Sequence, residues 1–134
     1  MGTARILIVE DDRVTQRTLM RKLAAEGREI VCVASATEAI RAVQAAPPDL
    51  MVLDLTLFEE DPFHSIRDGF GALAWLRRSL PELHFPVIVY TANKSPNVDT
   101  QARQVGVFKV LRKVPDVHEL LDAVCEALNV RDAA

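Results

Sequence analysis

The sequence predicts an α/β fold in which one five-stranded parallel sheet carries helices on both faces, a doubly wound (βα)5 unit. Three observations predict it. Five short runs are apolar along their length and rich in branched residues, as strands covered on both sides must be. Each is followed by a stretch whose apolar residues recur at helical spacing or that opens with helix-start residues. Polar and charged residues close the strands, at the edge where such a sheet binds its ligands.

The first strand is Ala4 to Val9, ARILIV, and it ends in Glu10, Asp11 and Asp12. Val14 to Glu26 holds good helix formers with Leu19, Met20 and Leu23 as apolar positions, and Gly27 stands where that helix terminates. Glu29 to Val33 is the second strand. Ser35 and Glu38 then have capping-box spacing, and Ala36, Ile40 and Val43 share a helical face until Pro47 and Pro48 break it. Leu50 to Leu53 with Asp54, LMVLD, is the third strand. From Leu57 to Arg67 the pattern is irregular and acidic, a surface loop with Glu59, Glu60, Asp61 and Pro62. Asp68 caps a third helix whose stripe is Phe70, Leu73, Leu76 and Leu80, with Trp75 beside it. Pro86 to Tyr90, PVIVY, is the fourth strand. Ser95 as cap and Pro96 as first residue begin a short polar helix ending near Gly106. Val107 to Leu111 is the fifth strand. Asp116 and Glu119 are spaced for a capping box on the last helix, which aligns Val117, Leu120, Leu121, Val124 and Leu128. Right-handed crossovers between such strands give a flavodoxin-like sheet.

A chain of 134 residues has the size of one domain, residues 1–134, with an acidic loop insertion at about 57–67. Hydrophobic residues at 49% and charged residues at 26% suit a folded core rather than a disordered chain. The net charge of -3 and pI near 5.6 give no general attraction to nucleic acid or anionic lipid. No apolar run reaches the length of a membrane span, and the N-terminus lacks a basic-then-apolar leader, so a cytoplasmic protein is expected. Cys32 and Cys125 lack short Cys or His spacing and read as reduced, buried thiols.

The strand ends place Glu10, Asp11, Asp54, Thr91 and Lys113 at one edge. Three carboxylates together repel unless a cation sits among them, and an all-oxygen site with room for water suits Mg2+. Such an ion can neutralise a phosphoryl group while the Lys113 ammonium and Thr91 hydroxyl bind its other oxygens. Asp54, ionised at neutral pH, is then a nucleophile that needs no base.

These residues resemble the response-regulator receiver family, a phosphorylation switch of two-component systems. The resemblance rests on IVEDD, the VLDL and YTA strand ends, and the lysine of VLRKVP, in order and at separations the family shows. It covers nearly the whole chain. It implies Asp54 as phosphoacceptor, Lys113 and Thr91 as phosphoryl ligands, and Mg2+ held by Asp11, Asp54 and the Thr56 backbone carbonyl, with Glu10 acting mainly through water. Thr56 and Asn93 match positions that adjust phosphoryl lifetime. Asp12 reads as a helix cap. The resemblance further implies a sensor histidine kinase or histidine phosphotransfer protein as donor, and repacking of the fourth helix, fifth strand and fifth helix. A downstream protein partner, or a homodimer, would use that face. The chain is expected to catalyse only its own phosphotransfer and dephosphorylation.

Four features depart from the family pattern. Val110 stands where an aromatic switch residue is usual, and Phe108 reads as ordinary core on the same side of the strand. Lys113 is followed by Val114 and then Pro115, so a trans Lys113–Val114 bond is expected, because a non-proline cis bond costs about 2.5–4 kcal/mol. Asp68-Gly69 lies about twice as far past Asp54 as the family's Asp-Gly pair. Phe58 replaces a usual proline. The enlarged loop reads either as a solvated insertion or as a lid built on Phe58 and Phe63, and His64 reads as an ordinary loop histidine. Two other functions are open: a pseudo-receiver that switches without phosphate, and the N-terminal receiver of a longer regulator. A phosphatase acting through an aspartyl phosphate is disfavoured, because Thr56 occupies the position of its second acid. Nothing after Leu128 reads as a linker, and if the chain is complete, output by protein docking is expected.

Overall fold

Five parallel strands form one sheet in the order β2-β1-β3-β4-β5, with β1 at Arg5–Val9, β2 at Glu29–Val33, β3 at Leu50–Leu53, β4 at Val87–Thr91 and β5 at Lys109–Arg112. The helices between and after them are α1 (Arg13–Leu23), α2 (Ala36–Ala45), α3 (Gly69–Ser79), α4 (Asn97–Gln104) and α5 (His118–Ala133). The structure, a computed structural model, describes residues 3–24, 27–55, 69–114 and 116–133. The expected loop at 57–67, the Asp68 cap and Pro115 lie outside the described residues.

Strand alternation splits the core in two, because neighbouring side chains point to opposite faces. Leu7, Val9, Met51, Leu53, Val87 and Val89 face the layer of α2, α3 and α4, meeting Val43, Leu73, Leu76 and Val98. Ile6, Ile8, Leu50, Val52, Ile88 and Tyr90 face α1 and α5, meeting Leu19, Leu23, Leu120 and Val124. Both faces are covered, which explains why the central strands β3 and β4 lack a polar alternate position.

Local chemistry sets the element ends, and several differ from the sequence reading by a few residues. Helix α1 closes at Leu23, ahead of Gly27, whose φ of 75° is a left-handed value that glycine adopts without strain. At α2 the Ser35 hydroxyl accepts from the Glu38 N–H at 3.1 Å, but Glu38 reaches back to the Ala34 N–H at 2.8 Å, one residue earlier than a strict capping box. At α4 Pro96 occupies the cap position, and the Ser95 hydroxyl and carbonyl accept from Asn97 and Val98 instead of capping from a helix starting at Pro96. Strand β5 starts two residues late. The reason is the exit from α4: Gly106 turns at φ 74° and the Val107 N–H still bonds the Ala102 carbonyl at 3.0 Å. At α5 Asp116 accepts from the His118 N–H at 2.9 Å, but Glu119 makes no return bond among the described residues.

From β1 the chain passes to β2 on one side, and it returns to β3 on the other. The crevice where that order reverses lies between the ends of β1 and β3, and those ends are Glu10, Asp11 and Asp54.

Candidate functional site

Backbone pairing extends past the strands and fixes where the site's side chains begin. The Glu10 N–H bonds the Val33 carbonyl at 3.0 Å, Asp54 N–H bonds Val9 at 2.9 Å, and Lys113 N–H bonds Thr91 at 2.8 Å. Adjacent strands therefore deliver Glu10, Asp54, Thr91 and Lys113 to one edge, as their spacing predicts. Among the described residues Glu10, Asp54 and Thr91 are the buried polar side chains, each no more than 5% exposed. Asp11 and Lys113 are half-buried.

Carboxylate oxygens of Glu10, Asp11 and Asp54 lie within 4.8 Å of one another. Against them stands the Lys113 ammonium, which hydrogen-bonds Glu10 and lies 3.4 Å from Asp54. Burial, reinforced by Asp54, pushes the Glu10 carboxyl up to about 7 despite that ammonium. For Lys113, burial works against the charged form, but its hydrogen bond to Glu10 and the charge of Asp54 prevail and leave its pKa raised. A cluster of hard carboxylate oxygens with more negative than positive charge fits a divalent cation such as Mg2+. Thr56, expected to add its backbone carbonyl, lies outside the described residues.

On the far side, the Thr91 hydroxyl accepts from the Asn93 N–H at 3.1 Å, and Asn93 in turn accepts from the Ser95 N–H at 2.9 Å. With that acceptance made, the Thr91 proton remains available to donate. Asn93 itself is exposed. Asp12 takes the capping role: its carboxylate accepts from the Thr15 N–H at 2.9 Å and hydroxyl at 2.7 Å, and the hydroxyl bond holds its pKa below the ordinary value.

Val110 pairs with Val89 and packs, half-buried, toward the layer of α2, α3 and α4. Phe108 packs on the opposite face with α1 and α5, correcting the expectation that it shares Val110's side. It precedes β5, so the strand alternation that would align the two does not extend to it. As expected it is core. The Lys113–Val114 bond is trans, since no peptide among the described residues is cis.

Two further side chains belong to this edge. Gln16, on the first turns of α1, donates its amide to the Glu10 carbonyl. Arg112, beside Lys113, donates to the Ser95 carbonyl at 3.2 Å and to Asp99 at 2.8 Å, tying β5 to the start of α4. Neither carries a sequence signal, because each depends on how a helix lies against the sheet edge.

The chain matches the response regulator receiver domain family over residues 6–125. It belongs to that family. Receiver domains are phosphoacceptor switches of two-component systems rather than enzymes in the usual sense, and they typically bind Mg2+ at an acidic pocket. The transcriptional regulatory protein GlrR of Escherichia coli K12 is 32% identical over 126 residues, spanning 94% of this chain and 26% of that protein. The DNA-binding transcriptional regulator NtrC of Azospirillum brasilense is 29% identical over 129 residues, 96% of this chain and 25% of that one. The receiver thus spans about a quarter of the length of these curated relatives. A CheY-like receiver domain from Methanospirillum hungatei superposes with a TM-score of 0.84 at 23% identity, covering 98% of each chain, which shows the shared fold. No described helix of this receiver is long and apolar enough to cross a membrane.

Proposed function

We propose that Asp54 accepts a phosphoryl group from the phosphohistidine of a sensor histidine kinase or histidine phosphotransfer protein, and that the modified receiver switches binding to a downstream protein. The observation that supports this most is the placement of buried Asp54 between the acids of β1 and the Lys113 ammonium, at the switch point of the sheet. In the step, an Asp54 oxygen forms a bond to phosphorus as the phosphorus–nitrogen bond breaks, and the departing imidazole keeps the electron pair and takes up a proton. Glu10, Asp11 and Asp54, with the Thr56 carbonyl, would hold Mg2+, which when bound supplies positive charge to the phosphoryl oxygens. Lys113 pairs with one phosphoryl oxygen, leaving Glu10 to do so. Thr91 donates its hydroxyl to another.

Reading residues 1–134 as one receiver, the signal leaves through α4, β5 and α5, because Thr91 and Lys113 sit at the ends of β4 and β5. Asn93, exposed two residues past Thr91, and Thr56, two positions past Asp54 in the sequence, set how long the phosphoryl group lasts. Val110 replaces the bulk of an aromatic switch with a small core contact. A cytoplasmic setting suits a phosphohistidine donor.

Incubation with acetyl phosphate and Mg2+ should add the mass of one phosphoryl group, and Asp54→Asn should abolish the addition. No mass gain in the unaltered protein would favour a binding module that switches without phosphate.

A further inference from the structure

Between Thr91 and α4 the chain has little burial to hold it. Ala92, Asn93, Lys94, Pro96 and Asn97 are exposed, and Val98 is the first buried residue after Thr91. Polar bonds therefore set the course of this segment, as they do where a short connection cannot reach the core. The Thr91 hydroxyl accepts from the Asn93 N–H at 3.1 Å, and the Asn93 side-chain oxygen accepts from the Ser95 N–H at 2.9 Å. The Ser95 carbonyl accepts in turn from Nη2 of Arg112 at 3.2 Å, and the same nitrogen donates to Asp99 on α4 at 2.8 Å.

Arg112 is also the residue that pairs with Thr91 across β4 and β5. The bonds thus close a ring that begins and ends at Thr91. A threonine hydroxyl turns about a single side-chain torsion, so the direction of its proton follows the donor it accepts from, here the Asn93 N–H. Asn93 is fixed by Ser95, and Ser95 by the guanidinium. A charged donor suits that last link, because a half-shielded guanidinium bonds a neutral carbonyl more strongly than a neutral donor would. Lys109, three residues earlier on the same strand, sends its ammonium to Glu126 on α5 instead.

We infer that Arg112 is a positioning residue for phosphoryl transfer: by holding the Ser95 carbonyl it fixes Asn93, and through the Asn93 N–H it aims the Thr91 hydroxyl at the incoming phosphoryl oxygen. This rests on the reading of Asp54 as phosphoacceptor and Thr91 as a phosphoryl ligand. Arg112 acts through Thr91 and forms no bond to phosphorus. Its contribution is therefore to the geometry of the transition state rather than to its charge. The bond to Asp99 steadies the guanidinium at the start of α4, so the ring is anchored on a helix whose Val98 and Ala102 are core residues.

The initial rate of phosphoryl uptake from acetyl phosphate at saturating Mg2+, followed by mass, tests this. Arg112→Ala should slow uptake about tenfold, the order expected when a group that binds the transferring phosphoryl is misaimed. Lys109→Ala should stay within about twofold of the unaltered protein. The milder Arg112→Lys keeps the charge but loses the forked donor, so its rate should fall between the two and serves if the alanine harms folding. Added to Thr91→Ala, Arg112→Ala should cost less than about twofold more, because the hydroxyl it positions is already gone. Mg2+ affinity of the unphosphorylated Arg112→Ala protein should be unchanged, while its Asn93 amide should exchange several-fold faster. An unaltered protein that takes up phosphate while Arg112→Ala reacts at the same rate overturns the inference and leaves the reading of Asp54 intact. Equal slowing with and without the Thr91 hydroxyl overturns it as well. No uptake by the unaltered protein overturns the reading of Asp54, and the inference with it.

Discussion

The strand-end site and the flank joining α4 to β5 both rest on ion pairs, yet they sit in different dielectric surroundings. At the site, Lys113 meets Glu10 and Asp54, whose side chains are 2% and 5% exposed. On the flank, Arg112 and Asp99 are 28% and 48% exposed at a similar charge. Burial makes the first set expensive to leave unmatched and the second cheap, since water screens what it can reach. The site therefore holds its excess negative charge under tension that a bound cation can relieve, whereas the flank uses its pairs only to hold position.

Lys113→Ala should break this comparison most severely. Two buried carboxylates would face each other without a cation, costing about 1–3 kcal/mol in denaturant unfolding near pH 8 without Mg2+. The loss should shrink near pH 6, where Glu10 can take a proton instead. Phosphorylation of Asp54 by acetyl phosphate should slow by roughly a hundredfold or more, as expected when a charged group that stabilises the transferring phosphoryl is removed. A variant as stable as the parent at every pH would mean that the site is screened like the flank.

The unaltered protein should show the same tension through its pH dependence. Glu10 titrates near 7 when folded against an ordinary 4.5, so the folded state holds this proton more tightly than the unfolded chain. The associated stability is complete below pH 4.5 and is lost as pH rises through about 7. Lys113 does not blur the window, because its raised pKa keeps its contribution until pH exceeds the ordinary 10.5. Without Mg2+, stability should fall by roughly 1–2 kcal/mol between about pH 5 and pH 8 from this group, less than the full shift implies because Lys113 is partly solvated. Saturating Mg2+ should flatten that fall, and Mg2+ affinity itself should weaken as pH drops below about 7. Equal slopes with and without the ion would show that Glu10 does not border it.

What was legible in the sequence follows the same division. Strand runs such as LMVLD place an acid at a strand end by chain geometry alone, so Glu10, Asp54, Thr91 and Lys113 could be assigned to one edge before any side chain was located. Asp12 as a cap was equally local. Phe108 was misplaced because its orientation depends on where β5 begins, which the left-handed turn at Gly106 decides. Gln16 and Arg112 were invisible, since their bonds run from helix to loop or from strand to helix, across contacts that no spacing rule encodes.

Arg112→Ala and Lys109→Ala supply the smallest and most discriminating effects. The Lys109–Glu126 pair is 42% and 55% exposed, more open than Arg112–Asp99, and it bridges β5 to α5 without a second bond. Its loss should stay within about 0.5 kcal/mol. Arg112 should cost somewhat more, up to about 1 kcal/mol, because its guanidinium also holds the Ser95 carbonyl. The sharper difference is local. Amide exchange in the first turn of α4 should quicken several-fold in Arg112→Ala and stay unchanged in Lys109→Ala, since only the former loses its tie to β5. If that turn exchanges alike in both, α4 is held by Val98 and Ala102 in the core rather than by the arginine, and the flank has no electrostatic link to the site.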